Sequence, residues 1–380
     1  MTNTQITAAS LRTLLTTVFA LHHQEKQLTI LFDIPGGGVD DSDPWRDRRA
    51  IAREWYDLLR KDTADKLFER VILGWYDNVG SNNNDLPMSV TVTEGDVSES
   101  NLSRGNQSDL LQIISDSTVV LALTQFSATA PLKIMARGLS FKGASMPGFS
   151  REMIPALSLD YEMVDARVRE FKGRMDRAEA VSMDFETPRG NFSMYFDLRF
   201  RTGHASGGLM REPGMVGNLP SGEAYIVPYE GEKPEEESKT KGTLPVQFED
   251  EIVLYRVEKN RATEILSTGR HSSSEKKLIQ DEPAYGNIAE VGIGVLGEWG
   301  IEAVGSILLD EKLGPHIAFG RSDHFGGITT PGSFKDRKKV VHIDRVYVPS
   351  AQPSVKVDQI TFHYQNGKHE LAMKASKYVI

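Results

Sequence analysis

Two short stretches of this chain carry side chains able to hold a metal ion. In "VVHIDRVYVP", His342 and Asp344 are two residues apart, and on a β-strand that spacing puts both on one face. The pair offers one imidazole nitrogen and one carboxylate on a rigid support. It equally describes a hydrogen-bonded His–Asp pair at a sheet surface. In "GPHIAFG", His316 shares a strand face with Ala318, while Ile317 and Phe319 face the other way. His316, His342 and Asp344 together have the composition of a 2-His-1-carboxylate triad, which suits mononuclear Fe(II) with open positions for substrate and oxygen.

Two glutamates widen the choice. Glu223 follows the Pro-Ser-Gly turn of "GNLPSGEAYIVP", and Glu290 lies inside the otherwise apolar or glycine run "NIAEVGIGVLG". A carboxylate in such a run must be paired or ligated, because an isolated buried charge is very costly. Either each glutamate meets an arginine (Arg199, Arg201, Arg211 and Arg321 are available), or the two extend a one-metal triad into a two-metal site with one carboxylate bridging. Asp323 and His324, in the glycine-flanked "GRSDHFGG", are further candidate ligands. His204, in "RTGHASGG", is a candidate acid, base or substrate contact; its bland alternative is an exposed loop histidine. His22, His23, His271, His363 and His369 read as structural or surface residues.

These side chains need strands to hold them. The first half alternates strand and helix signals. "QLTILFDIP" is β-rich, and "DPWRDRRAIAREWYDLLRK" is helical with Asp43 as N-cap and Pro44 at the first helical position. "RVILGWYDN" and "TVVLALTQF" read as strands, "QSDLLQIISDS" and "APLKIMARGL" as helices, and "FKGASMPGFS" as a closing short strand. Such alternation predicts parallel strands with crossover helices, a Rossmann-like α/β domain over 1–180. A long amphipathic helix at 160–181 leads into 181–380, where short β-type runs predict an α+β, strand-rich, metal-binding domain. Within it, "YEGEKPEEESKTKGT" (229–243) reads as an exposed charged loop or flap.

Composition removes whole classes of chemistry. The chain has no cysteine, so disulfides, thiolate nucleophiles, iron–sulfur clusters and Cys-rich zinc sites are excluded. Lys+Arg 44 against Asp+Glu 53 gives a net charge of −9, which opposes a nucleic-acid surface. No apolar run is long enough to span a membrane. "LRTLLTTVFALHH" lacks a basic flank and contains Arg12, so it reads as a first amphipathic helix of a cytoplasmic protein rather than a signal peptide. "DIPGGGVDD" follows a strand but has neither the dinucleotide glycine pattern nor a phosphate-loop lysine, so no nucleotide-type cofactor is expected. "SSEK" lies in a polar turn without the motifs that would make it a serine–lysine site.

"NLPSGEAYIVP", "IAEVGIGVLG", "LLDEKLGPHIAFG" and "VHIDRVYVP", in this order and spacing, resemble the thermophilic metalloaminopeptidases of the aminopeptidase T and S type. That superfamily also includes the dihydroxypyridine ring-cleaving dioxygenases, a one-iron version of the fold. The resemblance implies ligand roles for Glu223, Glu290, His316, His342 and Asp344, with Glu290 as the bridging carboxylate, and it implies a homodimer. A tyrosine ligand of the family falls at Asp323, next to His324, so either could substitute. What fills that position bears on one metal against two.

Three functions follow as expectations. The first is an aminopeptidase-like hydrolase acting on a peptide N-terminus or small amide, using one or two Zn, Co or Mn ions, with Glu223 or Glu290 moving the proton. The second is an Fe(II) ring-cleaving dioxygenase using His316, His342 and Asp344. The third is a non-catalytic protein that binds a peptide or small molecule.

Overall fold

The computed structural model describes residues 5–22, 24–62, 66–98, 102 and 105–380; His23 lies outside them. It is a mixed α/β structure in two compact units, one of Met1–Asp165 with Gly208–Ser221, the other of Ala166–Gly207 with Gly222–Ile380. No helix among the described residues is long and apolar enough to cross a membrane.

The first unit holds a seven-stranded sheet in the order Val216–Asn218, Lys142–Ser145, Val119–Ala122, Glu25–Ile34, Phe68–Asp77, Ser89–Thr93, Asn106–Asp109. The first five strands run parallel, and their centre is a continuously buried, mostly apolar run, Leu28 to Phe32, as expected for strands covered on both faces. The last two add antiparallel, a departure from the all-parallel series predicted. The helix Asp43–Lys61 is capped one residue before the expected position, by Ser42, whose hydroxyl accepts from the amide of Trp45. Beyond Val119–Ala122, the amides of Gln125 and Phe126 donate to the buried carboxylate of Asp33 at 2.7 and 3.2 Å.

The second unit contains two antiparallel sheets. Eight strands run in the order Arg261–Ile265, Glu251–Glu258, Lys241–Phe248, Gly190–Asp197, Ala178–Thr187, Lys356–Tyr364, His369–Lys374, Lys377–Tyr378. Five run in the order His342–Val346, Pro315–Gly320, Ile288–Gly294, Glu223–Ile226, His204–Ser206. Phe319, pointing away from His316 on its strand, packs on Tyr255 and Tyr285 at ring separations of 5.1 and 5.9 Å and ties the smaller sheet to the larger.

The single boundary expected at 180/181 is replaced by a double exchange of chain between the units. Within the second unit, the helix Tyr161–Arg177 contributes Arg167 to Glu298 (2.8 Å), Arg174 to Glu370 (3.1 Å) and Phe171 to Tyr378. Residues 208–221 return to the first unit because Val216–Asn218 completes its sheet. The stretch 229–243 is not wholly exposed: Tyr229 and Thr240 are buried, and the Glu230 side chain is only 3% exposed.

Candidate metal centre

Cross-strand register brings the candidates onto one face of the five-stranded sheet. Directly opposed residues of an antiparallel pair share a face. Ala318 is opposed on one side by Glu290 and on the other by Asp344, which makes one row. The next row runs His204, Tyr225, Gly292, His316, Val346. Glu223 stands opposite Gly294, and His342 opposite Gly320. The face has room because its intervening positions are small: a Cβ on Gly292 would lie 1.9 Å from Nε2 of His316.

The five side chains form two groups joined at Glu290. One is Glu223, Glu290 and His316; the other is Glu290, His342 and Asp344. His316 Nε2 lies 3.1 Å from Oε1 of Glu290 and 3.4 Å from Oε2 of Glu223. His342 Nε2 lies 3.5 Å from Oε2 of Glu290 and 3.6 Å from Oδ1 of Asp344. Thus each oxygen of Glu290 faces a different histidine. The other ring nitrogen of each histidine is held by main chain, Nδ1 of His316 at 3.2 Å from the carbonyl of Gly314 and Nδ1 of His342 at 2.8 Å from that of Arg321. That second contact fixes ring orientation in metal-binding histidines.

Burial makes the electrostatics severe. Burial alone would push the Glu290 carboxyl up, yet hydrogen bonds with His316 and His342 overcome it and hold the group below the usual range. Burial opposes charge on His316, but its bond to Glu290 and the charge of Glu223 raise it to about 9. Burial likewise opposes charge on His342, and Asp344 and Glu290 raise it well above its ordinary value. Glu223 is raised, chiefly by burial.

None of the four arginines meets Glu223 or Glu290. Arg199 pairs with Asp197 and Glu236, Arg201 with Glu230 and Glu232, Arg211 with Glu162, and Arg321 with Asp323. The cation beside Glu223 is Lys312, whose Nζ lies 2.6 Å from Oε1 and also contacts Glu311. Sequence reasoning passed over both residues, since a Glu-Lys pair before a glycine reads as a solvated turn. The available signal was the turn's position, immediately ahead of the fully buried Pro315–Gly320 strand.

Asp323 and His324 do not join either group. Asp323 is turned to Arg321 by two bonds, at 2.5 and 3.2 Å. His324 packs at a tilt against Phe325 and stands edge-on to His342 at 5.1 Å; burial and the positive charges of His342 and Arg321 lower it to about 4. His204 lies on the site face, stacked on Tyr225 with ring centroids 5.0 Å apart, with Nε2 donating to the Phe325 carbonyl at 3.0 Å. It belongs to an aromatic wall with Tyr225 and Phe325 that reaches His342. The loop bearing Asp323 to Phe325 is held by Glu230, which accepts from Ser322 Oγ, Thr329 Oγ1, Asn287 Nδ2 and the amide of Ile328.

No family model matches the chain, and a search of curated proteins found no match. Among solved structures it is similar to 2,5-dihydroxypyridine dioxygenase from Pseudomonas putida KT2440, with a TM-score of 0.60 and 13% identity over 99% of this chain and 98% of that one. It is also similar to wild-type AmpT from Thermus thermophilus, with a TM-score of 0.53 and 13% identity over 98% of this chain and 99% of that one. The chain therefore has the fold of these two proteins.

Proposed function

We propose that the protein is a metal-dependent hydrolase of the aminopeptidase type, acting on a peptide N-terminus or a small amide. The observation that carries this reading is the division of Glu290 between His316 and His342, one carboxylate oxygen to each. Such sharing suits two adjacent ions with a bridging carboxylate. The donor set fits metal on a second count: Oε2 of Glu223 is buried without a hydrogen-bond partner, yet faces Nε2 of His316. A buried acceptor left open in this way is costly unless something occupies it.

In this reading Glu223, Glu290 and His316 hold one ion, and Glu290, His342 and Asp344 the other. Bound divalent metal supplies Lewis acidity toward a carbonyl and activates water for attack. Gly314 and Arg321, through their carbonyls, keep Nε2 of both histidines aimed inward. A carboxylate of the cluster accepts the proton released by water. His204, with Tyr225 and Phe325, forms the side against which substrate rests. A homodimer belongs to the same proposal and is checked by sedimentation.

A ring-cleaving dioxygenase needs His316, His342 and Asp344 around one ion. Among the described residues, those three form no compact group; both groups that exist contain Glu290. The deciding experiment is metal analysis of protein purified without oxygen, paired with assays on aminoacyl-anilides. Two equivalents of zinc, cobalt or manganese with anilide cleavage support the hydrolase. One iron per chain with oxygen consumption and no cleavage overturns it.

A further inference from the structure

Lys312 makes the two halves of the centre chemically unlike. It is 2% exposed, and its ammonium sits between Glu223 and Glu311. Its placement is enforced by close packing, since a Cβ on Gly294 would come to 2.3 Å from the Lys312 carbonyl carbon. Its bond to Oε1 of Glu223, at 2.6 Å, places a fixed cation directly on one candidate ligand, and Glu311 shares it. On the other side, among the described residues, no lysine or arginine pairs with Glu290 or Asp344.

Position then separates the two places. Glu223 has one carboxylate oxygen taken up by an ammonium cation, whereas Asp344 has no basic partner but the ligand histidine; Glu290 counts equally for both. A fixed cation near a divalent ion opposes its binding, strongly so in a buried site. We infer that Lys312 ranks the two metal places: the Glu290–His342–Asp344 place fills first and tightly, the Glu223–Glu290–His316 place second and weakly. Lys312 is a positioning residue as well, because by holding Oε1 of Glu223 it presents the open Oε2 to His316. The weak place is the one that exchanges its ion with solution, so the hydrolase responds to free metal concentration. This inference rests on the two-metal reading above.

The test is an anaerobic cobalt(II) titration of the full metal-free chain, followed by visible absorption and by elemental analysis of bound cobalt. Wild type should show two classes, with the first equivalent at least about tenfold tighter than the second. Asp344→Asn should remove the tight class, and Glu223→Gln the weak one. Lys312→Met should tighten the second class by at least about tenfold while leaving the first in place. Its metal-free form loses stability, which cobalt restores by mass action. Two equal classes in wild type, or a tight class that survives Asp344→Asn and disappears with Glu223→Gln, overturn the ranking even if Lys312→Met does not fold. A folded Lys312→Met with an unchanged second class overturns the role of Lys312 alone. Wild type that binds a single cobalt, or none, fails the two-metal reading itself.

Discussion

Gly292 and His316 face each other across an antiparallel strand pair, so close that a single added methyl carbon would lie 1.9 Å from Nε2 of the histidine. Both residues are buried, His316 fully so. Gly292→Ala should therefore swing His316 out of the centre. Metal bound at the Glu223 side should be lost, with far-ultraviolet circular dichroism little changed. An alanine variant that retains wild-type cobalt stoichiometry would show that the glycine is not what sets the imidazole position.

The metal-free centre should be sensitive to pH in a defined direction. His316 is raised from an ordinary 6.5 to about 9 by Glu290 and Glu223 acting against burial. A folded value above the unfolded one means that its stabilising contribution is complete below pH 6.5 and disappears as pH rises through about 9. Metal requires the same nitrogen without its proton, so cobalt affinity should climb over that interval with proton release. Differential scanning calorimetry of the metal-free protein checks the first part, and titration in buffers of different ionisation enthalpy the second. A transition temperature that is flat across this range would count against the charged His316–Glu290 pair.

Asp323 and Asp344 should respond oppositely to loss of charge. Asp344→Asn removes a carboxylate from one candidate metal group, whereas Asp323→Asn removes a partly exposed partner of Arg321. The second change should cost about 1 kcal/mol or less and leave bound metal unaltered. Elemental analysis of both variants decides; metal loss in Asp323→Asn would return that residue to the ligand set.

Glu230 should matter for stability more than its place in an acidic loop suggests. Its carboxylate accepts from Asn287, Ser322, Thr329 and the amide of Ile328. Glu230→Ala leaves these donors in a buried space without partners, at a cost of about 3 kcal/mol or more. Urea denaturation gives the number, and proteolysis near Phe325 should accelerate in parallel. A loss under about 1 kcal/mol would mean that water satisfies the vacated donors.

Glu223, Glu290, His316, His342 and Asp344, which the fold brings together, are legible in the sequence because each leaves a local trace. His342 and Asp344 show the strand period, and Glu290 stands out as a charge in an apolar run. Glu223 and His316 stand at the starts of strands that the alternation marks. Lys312, Glu311 and Glu230 leave no such trace, since a charged residue in a turn has the same local pattern whether solvated or enclosed. Asp323 was placed by spacing to a family tyrosine, and spacing does not reveal that Arg321, two residues earlier, captures it. The strands Ser89–Thr93 and Asn106–Asp109 were missed for a related reason: short, largely polar strands are made by pairing with a neighbour, which sequence periodicity does not record.

The division of Glu290 between two histidines also constrains how such a centre can change through descent. In the two-metal reading, loss of Glu223 or of Asp344 strips one place and spares the other, so a one-ion descendant lies a single substitution away in either direction. Loss of Glu290 damages both at once. Lineages that keep both ions should therefore tolerate change at 290 least.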